Sequence, residues 1–152
     1  MNDAELRLFP VTVENQAALC ALRVSKEQEG LVETVSDCLR EAAEQPLWRP
    51  FGIYAGETPV GFAMAGFFPE EGERGRAWLD RFLIDRRFQG KGYGRAALRL
   101  LMNSILQEFV CREIYLSFVP ENGRAQRLYE SEGFRLTGEV DKNGEQIMVF
   151  SS

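Results

Sequence analysis

Two hydrophobic rhythms run along the chain, one with a period of two and one near 3.6, and the places where they exchange define its elements. Leu6 to Val11 alternates loosely and predicts a first strand, and Asn15 to Val24 carries a helical pattern. Thr34 to Glu44 sets Val35, Cys38, Leu39 and Ala42 at helical spacing, and Pro46 ends that run. Phe51 to Ala55 and Val60 to Phe68 are strand-like, joined at Gly56-Glu57-Thr58-Pro59, and Ala77 to Ile84 is a further strand. A basic, glycine-rich stretch, Arg86 to Gly94, leads directly into the apolar-periodic helix Arg95 to Phe109. Ile114 to Val119 follows as a strand, and Asn122 opens a short helix that runs to Glu132 and stops at Gly133, a residue suited to a left-handed cap. The last two strands, Phe134 to Val140 and Gln146 to Phe150, meet at Asn143-Gly144, a strong hairpin signal. The order β-α-α-β-β-β-α-β-α-β-β, with no repeat or linker, predicts one α/β domain over residues 1–152: a single mixed sheet of about seven strands flanked by about four helices.

Composition narrows what such a domain does. At 152 residues and 45% hydrophobic content the chain is long enough for one core. A formal charge of -5 argues against non-specific nucleic-acid binding, so any anion must be held locally. Cys20, Cys38 and Cys111 are widely spaced and form no CxxC pair, which suggests neither a disulfide framework nor a zinc cluster and fits a reducing cytoplasm. The start, MNDAELRLFP, lacks a basic region followed by an apolar run, and no stretch approaches the roughly 18 apolar residues of a membrane span. A soluble cytoplasmic protein is expected, without membrane or nucleic-acid partners. The absence of histidine removes Ser-His and Cys-His nucleophile pairs and every histidine metal site, leaving acid–base work to Asp, Glu, Tyr, Cys or Lys.

The stretch FQGKGYGRAALRLL carries the most chemistry. It sets Gly90, Gly92 and Gly94 just before a helix whose first turn has unpaired N–H groups and a partial positive charge, a natural phosphate site. Glycine lets the backbone approach a diphosphate without a Cβ in the way, and Arg86, Arg87, Lys91 and Arg95 add positive charge in an otherwise acidic chain. Two phosphate motifs fail at named positions. A P-loop needs Ser or Thr after its Lys, whereas Gly92 follows Lys91. The GxGxxG fingerprint needs glycine where Arg95 stands, and this junction comes late in the chain rather than in a first βαβ unit. A turn that merely connects strand to helix is the plain alternative.

What remains, Gln89-x-x-Gly92-x-Gly94, resembles the Q/R-x-x-G-x-G/A pattern of the GNAT acetyltransferases. A second stretch, Asn122-Gly-Arg-Ala125-Gln-Arg-Leu128-Tyr129-Glu-Ser-Glu-Gly133-Phe134, resembles the N-x-x-A-x-x-L-Y-x-x-x-G-F segment with which that family closes its cofactor site. Asn122 and Tyr129 lie about two helical turns apart and so on one face; taken alone, they read as an N-cap and a core aromatic. The resemblance implies the GNAT fold, whose motif-bearing strands splay to admit the pantetheine arm, with acetyl-CoA as co-substrate and no metal. It places backbone amides from Gln89 through Gly90, Lys91, Gly92, Tyr93 and Gly94 to Arg95 on the pyrophosphate. Main chain around Phe82, Leu83 and Ile84 would pair with the pantetheine, Asn122 would contact the cofactor and Tyr129 its sulfur.

Attack on a thioester needs a neutral amine, yet an alkylamine has a pKa of about 10.4, so a base must take a proton. Asp80 is the first candidate, set by alternation on one strand face with Trp78, Phe82 and Ile84; pairing with a cation is its alternative role, and Glu33, Glu70 and Glu71 compete. Tyr129 would protonate the departing sulfur. VSKEQEGLVE, PFGIYAGETPVGFAMAGFFPE and RAWLDRFLIDRRFQGKGYG further resemble the bacterial polyamine-acetylating members of the family. That resemblance implies spermidine or spermine as acceptor, bound by Glu29, Glu33, Glu70 and Asp80. Glu27, Glu29, Glu33, Glu70, Glu71 and Glu73 lie in two connections that flank the acceptor side of this fold and would attract a polycation, though each alone reads as a solvated loop charge. A protein N-terminus, an aminoglycoside or another small amine remains open as acceptor, as do a binding module without turnover and a homodimer.

Overall fold

The computed structural model describes residues 5–31 and 33–152. Its elements are β1 (Leu6–Pro10), α1 (Gln16–Cys20), α2 (Val35–Glu44), β2 (Arg49–Ala55), β3 (Thr58–Phe68), β4 (Arg76–Ile84), α3 (Tyr93–Glu108), β5 (Glu113–Phe118), α4 (Gly123–Ser131), β6 (Arg135–Val140) and β7 (Gln146–Ser151), with single 3-10 turns at Lys26–Gln28 and Arg86–Phe88. The seven strands form one sheet in the order β1-β2-β3-β4-β5-β7-β6, and only β4 and β5 run parallel. The expected element order and mixed sheet are both present. Among the described residues no helix is long and apolar enough to cross a membrane.

Two apolar layers cover the sheet. One joins α3 to it through Leu98, Leu101 and Ile105 against Leu79, Ile114 and Met148; the other gathers Leu19, Leu22, Val35 and Cys38 of the α1–α2 side with Phe62, Met64 and Leu83. The first helix is shorter than its pattern predicts. Asp85 Oδ2 accepts from Arg23 N at 2.9 Å and Arg86 N donates to Arg23 O at 2.7 Å. These bonds draw the chain to the end of β4, so the helix predicted as far as Val24 ends at Cys20.

β4 also departs from simple alternation. Phe62 pairs with Leu83 and Met64 with Asp80, so Arg81 and Phe82 together oppose Ala63, and Arg81 sits at φ +56°. This bulge reverses the faces beyond it. Phe82 and Ile84 join Ala77 and Leu79 in the α3 layer while Leu83 turns to the α1–α2 layer, so the expected single face of Trp78, Asp80, Phe82 and Ile84 is split after Asp80. The left-handed Arg81 is held by ion pairs to Glu33 at 3.2 Å and Glu41 at 3.1 Å. β4 and β5 pair only at Ala77–Ile114 and Trp78–Tyr115. Beyond that point the two strands leave each other, and a cleft of about 260 Å3 opens between them.

Candidate functional site

One end of the cleft is made of backbone. Asp85, 2% exposed, ends β4 and accepts from Arg23 N (2.9 Å), Arg87 N (2.9 Å) and Arg87 Nε (2.8 Å). Although burial works against its charge, these donors hold its carboxyl below the usual range. The chain then turns through Gly90 at φ +79° and Gly92 at φ +83°, where a Cβ would meet nothing within 4 Å; left-handed backbone, not crowding, calls for glycine there. Gly92 is the N-cap of α3 and has no side chain to cap it, and the first intrahelical bond runs from Ala96 N to Gly92 O. The amides of Tyr93, Gly94 and Arg95 therefore begin the helix without intrahelical acceptors. Gly94 already lies inside α3, and a Cβ there would stand 3.9 Å from Leu128 Cδ2.

Gln89 braces this turn with its side chain, donating from Nε2 to Ile84 O at 2.9 Å and to Gln28 Oε1 at 2.8 Å. The cofactor-type turn is thereby tied to the Lys26–Gln28 turn across the cleft. Lys91 is exposed, Tyr93 is buried with its ring 6.4 Å from that of Phe88, and Arg95 pairs with Glu132 at 3.4 Å. Asn122 caps α4, its Oδ1 accepting from Ala125 N at 3.2 Å.

The other end is made of side chains. Asp80 Oδ1 accepts from Arg81 N at 2.9 Å, and burial pushes its carboxyl up to about 6 against the pull of the Arg81 guanidinium. Arg81 itself, despite burial, is kept charged by Asp80, Glu33 and Glu41. Tyr129, 8% exposed, packs its ring against Phe118 and Phe134, with centroids 6.4 and 5.9 Å away. Burial, with the carboxylates of Asp80 and Glu145, holds its hydroxyl above the usual tyrosine range, so it keeps its proton.

Of the residues singled out from sequence, Phe82, Leu83, Ile84, Gln89, Gly90, Gly94, Asn122, Tyr129, Asp80 and Glu33 all line this one cleft. Lys91, Gly92, Tyr93 and Arg95 belong to the same turn without lining it. Glu29 and Glu70 are exposed and stand outside the lining, and Glu71 is engaged with Trp78 Nε1 at 2.6 Å. Sequence reasoning missed Gln28, Arg81, Ser117 and Glu145, which also line the cleft. Glu145 arrives there because β7 pairs with β5, setting Gln146 opposite Phe118 and Ile147 opposite Ser117, a long-range pairing that no local pattern announces.

The chain is similar to known proteins in sequence and in fold. Over 147 residues the chain is 44% identical to the spermine/spermidine N(1)-acetyltransferase of Bacillus subtilis (strain 168), covering 95% of this chain and 97% of that one. It superposes on the crystal structure of an acetyltransferase from Thermus thermophilus with a TM-score of 0.78 and 26% identity over the whole of both chains. The spermidine N-acetyltransferase of Vibrio cholerae, crystallised with CoA and spermine, has the same fold at a TM-score of 0.74 and 17% identity, covering 98% of this chain and 96% of that one. Residues 14–134 match the acetyltransferase (GNAT) family. That span holds both the glycine turn before α3 and the helix that carries Tyr129, and the chain belongs to that family.

Proposed function

We propose that the protein transfers the acetyl group of acetyl-CoA to a primary amine of a polyamine such as spermidine or spermine, by direct attack within a ternary complex. The observation that carries this reading is one cleft that runs from the glycine turn, with its open helix amides, to carboxylates around a protonated tyrosine. The substrate class follows the 44% identity to the Bacillus subtilis enzyme.

The turn fits a diphosphate. Three amides point from a helix start that no side chain caps, on a backbone that two left-handed glycines bring into place. The gap between β4 and β5 leaves Phe82, Leu83 and Ile84 unpaired with β5, where an extended arm adds main-chain hydrogen bonds as a strand would. Acetyl-CoA, when bound, supplies the activated acyl group and a thiolate that needs a proton on leaving.

Asp80, with a carboxyl near 6, is ionised at neutral pH and close enough to that pH to accept a proton from the bound ammonium. Tyr129 holds the proton that the leaving sulfur requires. Asn122 fixes the start of α4 and thereby the depth of Tyr129, seven residues on. Neither Cys20, Cys38 nor Cys111 lines the cleft, and burial pushes the Cys38 thiol up to about 12, so among the described residues no thiolate is placed to take the acetyl group first.

Release of CoA thiol across a panel of spermidine, spermine, butylamine, a peptide with a free N-terminus and an aminoglycoside tests the proposal. Polyamines should give the highest kcat/KM, with an advantage that shrinks as salt rises. Equal rates for butylamine and spermidine, or a preference for the peptide or the aminoglycoside, would overturn the polyamine assignment.

A further inference from the structure

The acceptor end holds a carboxylate that neither the sequence motifs nor the proposed chemistry uses. Glu145 follows the Asn143-Gly144 turn, and its position is doubly fixed. Its backbone exchanges hydrogen bonds with Asp141, Glu145 N reaching Asp141 Oδ1 at 2.9 Å and Asp141 N reaching Glu145 O at 2.9 Å. Its side chain is aimed by Ser117, whose hydroxyl donates to Glu145 Oε1 at 2.9 Å. Ser117 lies on β5 beside the point where β4 and β5 part, so the carboxylate stands on the wall opposite Asp80 and Glu33.

The charge around it is unbalanced. Arg81, the cation at this end of the cleft, is shared by Asp80, Glu33 and Glu41, while among the described residues Glu145 has no ion-pair partner. Three carboxylates, those of Glu33, Asp80 and Glu145, thus line the cleft beside Arg81, which is already shared on its own side, while the second guanidinium of the lining, Arg124, reaches Gln89 Oε1 at 3.5 Å at the other end. The geometry also contains an independent sign of a ligand. Tyr129, with 8% exposure, lines the same pocket, yet its hydroxyl makes no hydrogen bond to a described residue. No fully enclosed side-chain polar atom among the described residues lacks a partner, so that hydroxyl opens onto the cleft and awaits a group there.

We infer that Glu145 is a specificity-determining residue: held by Ser117, its carboxylate receives an ammonium group of an acceptor carrying two or more cationic nitrogens, while the reacting nitrogen lies between Asp80 and Tyr129. The inference rests on the polyamine reading above and adds the wall that measures charge along the acceptor. Glu33 and Asp80 stand on the wall opposite Glu145, so a linear polycation lies across the cleft rather than along the exposed acidic loops. A partly desolvated carboxylate without a protein cation gains more from such an ammonium than Glu29 or Glu70 would in open solvent.

The test compares kcat/KM for spermidine and for butylamine in the wild type, Glu145→Gln, Glu145→Asp and Ser117→Ala, with acetyl-CoA saturating. In Glu145→Gln the spermidine-to-butylamine ratio should fall about tenfold or more, with the loss in KM for spermidine rather than in kcat, because an ammonium contact is made alike in ground and transition states. Glu145→Asp should recover part of the ratio and Ser117→Ala should lose a smaller part, since charge is kept in both. A Glu145→Gln ratio equal to wild type, or a loss falling equally on both amines, would overturn the inference. The acetyl-CoA KM and the melting temperature report whether the hairpin has folded: if Glu145→Gln has lost its fold, Ser117→Ala decides, and an unchanged ratio there overturns the inference. A wild type that shows no preference for spermidine removes the polyamine reading and this inference together, and is told apart by appearing before any substitution is made.

Discussion

The two ends of the cleft are built from different materials. At the α3 end, the groups proposed to hold the cofactor are main-chain amides, and side chains brace them, as Gln89 and Asp85 do. At the other end the cleft is lined by polar side chains, those of Asp80, Arg81, Glu33, Ser117 and Glu145, to which the proposed function gives the chemistry. Every residue but proline has a backbone N–H, so the first end depends on conformation and is spoiled by changing φ, filling space or removing a donor with proline. The second depends on the identity, charge and proton of individual side chains, and is spoiled by single-atom changes that leave the fold intact.

Substitutions that separate proton transfer from cofactor binding sharpen that contrast most. Asp80→Asn keeps the shape of the side chain and removes the proposed base, so kcat/KM for spermidine should fall about a thousandfold while the Kd for acetyl-CoA, by calorimetry, moves little. A loss below about tenfold would assign the base elsewhere. Tyr129→Phe keeps the ring against Phe118 and Phe134 and removes one hydroxyl. It should lower kcat about 100-fold, about 2.7 kcal/mol in barrier, with acetyl-CoA affinity retained. Near-normal kcat with the acetyl-transfer step rate-limiting would show that the sulfur leaves without Tyr129.

The backbone end should respond in the opposite sense. Gly92→Val forces a β-branched residue to φ +83° at the N-cap of α3. Acetyl-CoA should then bind about 30-fold more weakly, about 2 kcal/mol, and its stabilising effect on the melting temperature should shrink accordingly. Because a Cβ there meets no neighbour, the fold itself should survive, and an undiminished thermal shift would break the contrast.

A pH profile gives the smallest and most specific effect. Asp80 must be ionised to accept a proton, and its carboxyl lies near 6. Acetylation kcat/KM should therefore fall about tenfold per pH unit below that value and level off above it. The inflection should be missing in Asp80→Asn. A flat acid limb in the wild type would remove Asp80 as the base.

The sequence made the backbone end legible because its requirements are local. Gly90 and Gly92 mark left-handed turns, a helix follows them, two residues earlier than its apolar pattern predicts, and Asn122 caps another at the expected place. The order of elements along the chain also followed from alternation and the Asn143-Gly144 turn, whereas the strand order within the sheet did not. The acceptor end was only partly legible. Asp80 and Glu33 were found, yet the loop carboxylates Glu29 and Glu70 stand away from the cleft, because clusters of charge in sequence say nothing of which way a loop runs. The bulge at Arg81 left a faint trace, two consecutive polar residues, Asp80 and Arg81, inside an apolar strand. Glu145 left none. Its place depends on the pairing of β7 with β5 and on the hydrogen bond from Ser117, contacts between residues 28 apart.

The most direct measurement is the mass of the acceptor after incubation with acetyl-CoA and the wild-type enzyme. The account predicts monoacetylated spermidine formed in step with free CoA thiol, and neither product from enzyme or acetyl-CoA alone. Thiol released while spermidine remains unmodified would mean that water, not an amine, takes the acetyl group, and would contradict the account at its centre.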